Sequence, residues 1–182
     1  MKQDEWTKGD PVTIDQMLLA KDRRVARRHK ALSDFDQPTI TLSVVMPGPI
    51  KDCPLSRTIA TEARNALGTL FEEKNIRYRL LISEEPPTGP EALYSVQIEA
   101  KRLKHFVIEL EENHALGRLW DLDIHRPDGT AISRKDLGFP ARKCLICNQN
   151  AHACARSRAH GLSDTIMVIE QTYLNWATHS KI

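Results

Sequence analysis

The feature that most constrains the fold is a run of alternating apolar and acidic residues, WDLDI, which begins at Trp120. Side chains two positions apart on a β-strand point to the same face of the sheet. A strand here puts Asp121 and Asp123 on one face and leaves Trp120, Leu122 and Ile124 on the other, where a core can bury them. The chain is therefore expected to build a sheet that has one apolar and one acidic face.

The paired aspartates are candidate ligands for a divalent metal ion. Mg²⁺ takes hard oxygen ligands and commonly uses one or two carboxylates together with substrate phosphates. The basic side chain of Arg118 precedes them, which fits a place where a phosphate also binds. The pattern favours metal-assisted transfer of a phosphate-containing group, with Asp121, Asp123 and Arg118 as catalytic candidates. The alternative is an ordinary polar strand face that contacts water.

Hydrophobic periodicity along the chain predicts an α+β fold. Helices are expected over residues 14–33, 55–74, 99–112 and 163–177. Strands are expected over residues 39–46, 78–82, 92–98, 117–124 and 130–133. Four to five strands should form a mixed, partly antiparallel sheet against which the helices pack. By analogy of fold alone, a D-x-D strand that follows a helix is similar to the palm of polymerase-β-like nucleotidyltransferases.

The length of 182 residues suits a single domain. Within it, residues 1–12 are expected to be a loose leader and residues 142–160 a separate segment that contains cysteine and histidine. No apolar run is long enough for a transmembrane helix, and the N-terminus has no signal-peptide core. We therefore expect a cytoplasmic protein with no membrane partner. The net charge of only +2 gives no general requirement for nucleic acid.

The first predicted helix has an apolar face and a strongly basic face. Thr13 and Gln16 fit a capping box at its start, and Ile14 and Leu18 belong to the apolar face. Arg24 and Arg27 on the basic face are candidates for substrate binding, because guanidinium groups match phosphate oxygens well. Arg28 and several further cations lie on the same face. The alternative is a basic face that is simply exposed to solvent.

The loop after the first strand, PGPIKD, contributes two more candidates for substrate binding. Gly48 permits a close approach of the backbone to a ligand. Lys51 lies between a strand and a helix, where phosphates are often bound. An ordinary turn is the alternative interpretation of this loop.

The segment RKCLICNQNAHACARSRAH contains a candidate zinc site. Cys144 and Cys147 have the C-x-x-C spacing of a zinc half-site, and Cys154 and His160 could complete a tetrahedral set of ligands. One alternative is a group of semi-buried thiols that helps a loop to pack. A redox role has less support, because no thioredoxin-like unit surrounds the cysteines.

Several blocks of sequence, taken in order, resemble the apo-citrate lyase phosphoribosyl-dephospho-CoA transferase family, also called citrate lyase holo-acyl-carrier-protein synthases. The blocks are LLAKDRRVARRH, VVMPGPIKD, TGPEAL, IELEENHALGRLWDLDI, SRKDLGFPARKCLIC and CARSRAH. They extend over about residues 15–164, and their common order is more specific than any one block. Gly89 lies in the third block and joins the candidates for substrate binding.

The resemblance implies an enzyme that uses 2'-(5''-triphosphoribosyl)-3'-dephospho-CoA. It would transfer the phosphoribosyl-dephospho-CoA group onto a serine of the citrate lyase acyl carrier (gamma) subunit and release diphosphate. Such a displacement at phosphorus depends on charge neutralisation and in-line placement. Asp121 and Asp123 would hold Mg²⁺, and arginines would bind the departing diphosphate. His114 and Glu112 are close enough in sequence to take the serine proton, and neither is favoured.

Two other functions fit parts of the sequence. A zinc-stabilised basic module could bind RNA or an acidic protein partner through the first helix and the cysteine segment. Against it, aromatic residues make up only 5% of the chain, which is few for stacking on bases. A non-catalytic scaffold within a lyase assembly would leave the paired aspartates unexplained. We therefore expect an enzyme without a nucleic-acid partner.

Overall fold

Five α-helices pack around one sheet of five strands in the computed structural model, which describes residues 5–179. The helices are α1 Ile14–Phe35, α2 Pro54–Glu73, α3 Ala100–Asn113, α4 Ala151–Ser157 and α5 Leu162–His179. The strands are β1 Thr39–Val44, β2 Tyr78–Glu84, β3 Glu91–Val96, β4 Trp120–His125 and β5 Ala131–Ile132. The prediction of an α+β fold with four to five strands is confirmed.

The strands follow the order β2-β3-β1-β4-β5 across the sheet, and every described pair is antiparallel. The strand with the two aspartates, β4, therefore lies beside the central strand β1. β5 pairs only with the end of β4, at Ile124 and His125. The first half of β4 is thus left open along its outer edge.

The apolar face of the sheet carries the main hydrophobic core. Trp120, Leu122 and Ile124 are buried there, whereas Asp121 and Asp123 are exposed on the opposite face, as the alternation predicted. The indole N–H of Trp120 donates to the carbonyl oxygen of Ile59 in α2 at 3.2 Å. Other core positions in α2, α3 and α5 include Leu67, Phe71, Leu103, Val107 and Ile169.

Helix α1 lies against β1 and β3 and begins at the predicted capping box. The backbone N–H of Gln16 donates to Thr13, and the side chain of Gln16 accepts from the Thr13 backbone N–H. Ile14 and Leu18, on the apolar face of the helix, are 79% and 54% exposed, so the start of this face does not enter the core. The buried residues of α1 are small or lie near its end: Ala20, Ala31 and Leu32.

Residues 5–12, which the sequence predicted to be part of a loose leader, are anchored to the fold. The ring of Trp6 packs against Tyr173 of α5 with centroids 4.7 Å apart. The carbonyl oxygen of Trp6 accepts from Leu55, and the N–H of Val12 donates to Pro49, each at 2.9 Å. The rest of the predicted leader, residues 1–4, lies outside the described residues.

The cysteine segment contains a short helix that the sequence did not predict. Helix α4 begins after Asn150, whose side-chain oxygen accepts from the backbone N–H groups of His152 and Ala153. Between residues 5 and 179, no helix combines the length and the apolar composition that a membrane crossing requires.

Candidate functional site

A row of polar side chains crosses three strands on the face of the sheet opposite the core. In the register of the sheet, Asp121 of β4 lies opposite Ser43 of β1, and Ser43 lies opposite Glu91 of β3. Asp123 lies opposite Thr41 in the next row. Directly opposed residues of antiparallel strands share a face. The carboxylates of Asp121 and Asp123 therefore stand at one end of a continuous polar surface.

The two aspartates fit a divalent cation. Partial burial, followed by the negative charge of nearby Asp123, raises the pKa of Asp121, while the positive charges of Arg142 and Lys104 oppose this shift. Two like charges held close together cost free energy that a cation can relieve. Their hard oxygen atoms, exposed on one strand face, match the ligands that Mg²⁺ prefers.

Two cations that the sequence did not assign to this site lie along the open edge of β4. The guanidinium of Arg142 donates to the carbonyl oxygen of Trp120 at 2.9 Å, and its Nη1 lies 3.9 Å from Oδ1 of Asp121. The ammonium of Lys104 donates to the carbonyl oxygen of Leu122 at 3.2 Å. Since Lys104 and Arg142 are 18 and 22 residues from their partners in β4, no local spacing marks them.

The C-terminal end of α3 supplies a buried carboxylate beside these cations. Glu111 is 2% exposed and forms ion pairs with Arg142 and, at 3.1 Å, with Arg134. Burial raises the pKa of Glu111, and the positive charge of Arg142 opposes the shift. A glutamate near the end of a helix could simply contact solvent. Glu111 is instead buried and binds two arginines.

Arg118 lies near this group and contacts the cysteine segment. Its guanidinium donates to the carbonyl oxygen of Lys143. Burial, and then the positive charges of Arg142 and Arg134, lower the pKa of Arg118. The predicted catalytic arginine therefore belongs to the cationic group beside β4.

Arg24, Arg27 and Arg28 of α1 are partly buried and face the sheet, whereas Arg23 is exposed. Arg27 forms an ion pair with Glu91 at 2.8 Å and another with Glu84 at 3.0 Å, and Arg24 lies 3.5 Å from Glu91. Arg28 is close enough to Asp123 for that carboxylate to oppose the lowering of the Arg28 pKa by burial. The basic face of α1 thus covers the polar face of the sheet.

A cavity of about 470 Å³ opens between the start of α1 and the loop after β1. Volumes of this order are typical of small-molecule sites. The cavity brings together three predicted substrate-binding residues, Arg24, Gly48 and Lys51, with Lys21 on the same wall. Its apolar lining consists of Val12, Ile14, Met17, Leu18 and Pro49.

Gly89 and Lys51 meet where two loops pack together beside the cavity. Gly89 has a φ of +102°, and a Cβ there would lie 3.3 Å from the carbonyl oxygen of Lys51. The ammonium of Lys51 donates to the carbonyl oxygen of Met46, and burial lowers the pKa of Lys51. Arg27 is not part of the cavity wall but shares Glu91 with Arg24.

His114, one of the two residues considered for the serine proton, lies on the other side of the sheet from the aspartates. Its ring packs against Trp120 with centroids 4.4 Å apart, and its Nε2 lies 3.5 Å from Glu62. The other candidate, Glu112, forms an ion pair with Arg134. The tertiary structure thus separates His114 from Asp121 although the two are close in sequence.

The structure brings together the four predicted zinc ligands. The ligand atoms of Cys144, Cys147, Cys154 and His160 all lie within 4.8 Å of one another, and the sulfur atoms of Cys147 and Cys154 are 3.6 Å apart. Nε2 of His160 is buried without a hydrogen-bond partner. Three thiols and an imidazole at these separations can hold a metal ion with a preference for sulfur and nitrogen.

The thiols of this cluster differ in acidity. Burial opposes ionisation of Cys144, but hydrogen bonds from the backbone of Ile146 and Cys147 and from the thiols of Cys154 and Cys147 lower its pKa to about 6. Burial, together with hydrogen bonds to Cys147 and Cys144, raises the pKa of Cys154 to about 11. A metal ion would bind these sulfurs as thiolates.

The Cys/His cluster is joined directly to the backbone that carries Arg142. The carbonyl oxygen of Arg142 accepts from Ala151 at 2.9 Å, and the N–H of Cys144 donates to Gln149 at 2.7 Å. Arg118 binds the intervening Lys143 from outside the segment. A metal ion in the cluster would therefore help to hold Arg142 beside Asp121.

Similarity to known proteins identifies the chain as a transferase. The sequence model of the apo-citrate lyase phosphoribosyl-dephospho-CoA transferase family matches residues 12–176. Proteins with that name from Escherichia coli O9:H4 (strain HS) and Citrobacter koseri are each 39% identical to it over 159 residues. One from Shigella flexneri serotype 5b is 38% identical over 159 residues. Each alignment covers 87% of this chain and 87% of the relative.

The chain therefore belongs to the apo-citrate lyase phosphoribosyl-dephospho-CoA transferase family, and it is an enzyme. The resemblance on which the sequence interpretation relied is confirmed over most of the chain.

Proposed function

We propose that this enzyme transfers the phosphoribosyl-dephospho-CoA group of 2'-(5''-triphosphoribosyl)-3'-dephospho-CoA onto a serine of the citrate lyase acyl carrier (gamma) subunit. Diphosphate is the second product. One observation carries the proposal: Asp121 and Asp123 stand side by side on an exposed sheet face, with Arg28 above them and Arg142 and Lys104 along the strand edge. The name of the relatives supports both the transferred group and apo-citrate lyase as its acceptor.

In the reaction, the serine hydroxyl gives up its proton to solvent and its oxygen forms a bond to the α-phosphorus, while the bond from that phosphorus to the departing diphosphate breaks. Asp121 and Asp123 would hold Mg²⁺, and that ion would supply positive charge to neutralise the phosphates. The chain itself supplies positioning and electrostatics, which dominate such transfers. Arg28 and Lys104 contribute positive charge near Asp123.

The cavity next to α1 is the place for the nucleotide portion of the donor. Its apolar wall suits a base or a pantetheine chain, and Lys21, Arg24 and Lys51 suit phosphate groups. Arg24 also contacts Glu91, which lies two strands from Asp121 in the same row of the sheet. Two strand spacings amount to about 10 Å. A donor in the cavity can thus extend its triphosphate along the polar surface towards the aspartates.

The Cys/His cluster is proposed to hold a structural Zn²⁺. Its four ligands, Cys144, Cys147, Cys154 and His160, match the Cys₃His type of structural zinc site. The alternative function as an RNA-binding module is not favoured, because aromatic residues for stacking on bases make up only 5% of the chain. A cytoplasmic location stays a prediction from the sequence.

The test is intact-mass spectrometry of the apo carrier subunit after incubation with the enzyme, Mg²⁺ and the triphosphate donor. We expect the carrier to gain the mass of phosphoribosyl-dephospho-CoA and diphosphate to appear in equal amount. Asp121→Asn and Asp123→Asn should each slow labelling on the order of a thousand-fold, because a metal ligand in the transition state is lost.

The matched control is Asp22→Asn, the same change at an exposed position of α1, which should label the carrier at the wild-type rate. Circular dichroism should show that all three variants are folded. If both strand variants labelled the carrier as fast as the control, the proposed role of the aspartates would be excluded.

A further inference from the structure

Three cations converge on one buried carboxylate next to the paired aspartates. Arg134 and Arg142 form ion pairs with Glu111. Lys104 precedes Glu111 by two helical turns and so lies on the same face of α3, where it is 5% exposed. We call these four residues, Lys104, Glu111, Arg134 and Arg142, the Glu111 cluster.

The Glu111 cluster has more positive than negative charge. Its three cations face the carboxylate of Glu111 and that of Glu112, which pairs with Arg134 at the surface. Arg118 adds a further positive charge close to Arg142 and Arg134. The neighbouring aspartates balance this excess only until a divalent cation binds them. With that cation present, the edge of β4 becomes attractive to an anion.

The arginines of the cluster retain the capacity to bind a ligand. A guanidinium group has five N–H donors in a planar fork. The described hydrogen bonds and ion pairs of Arg142 engage Trp120, Glu111 and Asp121, and those of Arg134 engage Pro140, Glu111 and Glu112. Both side chains are partly exposed. Further N–H groups can therefore reach an anion that arrives from solvent.

The position of the cluster relative to the aspartates and the cavity indicates which anion it binds. Nη1 of Arg142 lies 3.9 Å from Asp121, whereas the cavity that accepts the nucleotide portion is reached from Asp121 in the other direction, across Ser43 and Glu91. The aspartates thus lie between the two cationic regions. A donor that extends from the cavity past the aspartates would place its terminal phosphates at the cluster.

We propose that the Glu111 cluster is the site of the departing diphosphate, with Arg134 and Arg142 as its ligands, Lys104 as a buried positive charge behind them, and Glu111 as a positioning residue that holds both guanidinium groups. When the bond to the α-phosphorus breaks, its electron pair stays on the diphosphate oxygen, so negative charge grows next to these cations. The inference rests on the proposed function, because diphosphate is a product of that reaction.

The test measures binding of inorganic diphosphate to the full-length protein by isothermal titration calorimetry with Mg²⁺ present. Arg142→Ala should raise the dissociation constant about tenfold to hundredfold, because charged hydrogen bonds are lost. Arg142→Lys should give an intermediate value, since it keeps the charge and loses the fork. Arg77→Ala is the matched control, as Arg77 is exposed and precedes β2 at the opposite edge of the sheet.

The positioning role of Glu111 is tested by the kinetics of Glu111→Gln. We expect kcat for carrier labelling to fall at least tenfold while KM for the triphosphate donor rises by much less, because the cavity that binds the nucleotide portion is intact. If a variant at Glu111 or at Arg142 fails to fold, Arg134→Lys, which keeps the charge, should still weaken diphosphate binding.

The outcomes separate this inference from the proposed function. Equal diphosphate affinity in wild type, Arg142→Ala and Arg134→Lys would overturn the inference even if the carrier is labelled. Weakened diphosphate binding in these variants without any gain of mass by the carrier would establish a diphosphate site at the Glu111 cluster, while the proposed function would fail.

Discussion

At the scale of single residues, Gly117 determines how closely the end of α3 approaches the start of β4. A Cβ at this position would lie 2.3 Å from the carbonyl oxygen of Glu111, a separation that only glycine avoids. The contact keeps Glu111 next to the strand that carries Asp121. The sequence marks Gly117 only as the residue before Arg118, so its packing role was not predicted.

We predict that Gly117→Ala destabilises the fold by about 2 kcal/mol, because the added methyl group forces two backbone segments apart. Urea unfolding followed by circular dichroism measures the change. The control is Gly68→Ala in α2, where a Cβ meets no atom within 4 Å. That variant should gain up to about 1 kcal/mol from helix propensity. The same unfolding free energy in both variants would contradict the prediction.

At the scale of elements, ion pairs hold α1 against the sheet. Glu91 on β3 is 3% exposed and faces both Arg24 and Arg27. Glu84 on the neighbouring strand also pairs with Arg27, but it is 46% exposed. Removing a buried carboxylate leaves its partner arginines without a countercharge, and this costs more unfolding free energy than removing an exposed one. Glu91 is therefore expected to dominate this contact.

We predict that Glu91→Gln lowers the free energy of unfolding by about 2 kcal/mol, since it leaves two partly buried arginines without their anion. Glu84→Gln, the matched control on the exposed partner, should lower it by less than about 1 kcal/mol. Urea titration of the three proteins provides the comparison. A larger loss of unfolding free energy in Glu84→Gln than in Glu91→Gln would contradict the prediction that Glu91 dominates the contact.

At the scale of the whole molecule, the cysteine segment connects parts of the chain that are distant in sequence. Its backbone carries Arg142, which reaches Glu111 of α3 and the start of β4. In the sequence, its Cys/His cluster lies between this arginine and α5. A metal ion there would act on the candidate active site through the position of Arg142, without touching the substrate.

We predict that removing the metal with a chelator increases amide hydrogen exchange across residues 142–160, leaves β1 and β3 protected, and lowers carrier labelling. Cys154→Ser should lose the metal. Cys53→Ser, at a buried cysteine outside the cluster, should retain one equivalent of zinc by elemental analysis. Unchanged exchange in the metal-free protein would show that the cluster does not depend on a metal ion.

Local patterns in the sequence predicted four of the five described α-helices and the alternation of the strand at the site. The capping box at Thr13 and the alternation around Asp121 act within a few residues, where chain geometry alone sets which side chains are neighbours. Periodicity did not show which face of α1 is covered. Ile14 and Leu18 share a face, but that face lines an open cavity, whereas Arg27 contacts the sheet through Glu91.

By itself the sequence determined that two aspartates share a strand face, that four potential metal ligands lie in one segment, and that the chain resembles a transferase family. Only the tertiary structure decided that Arg142, Lys104 and Glu111 meet beside Asp121. The physical reason is that backbone geometry relates residues a few positions apart, whereas contacts between distant segments depend on how complete helices and strands pack.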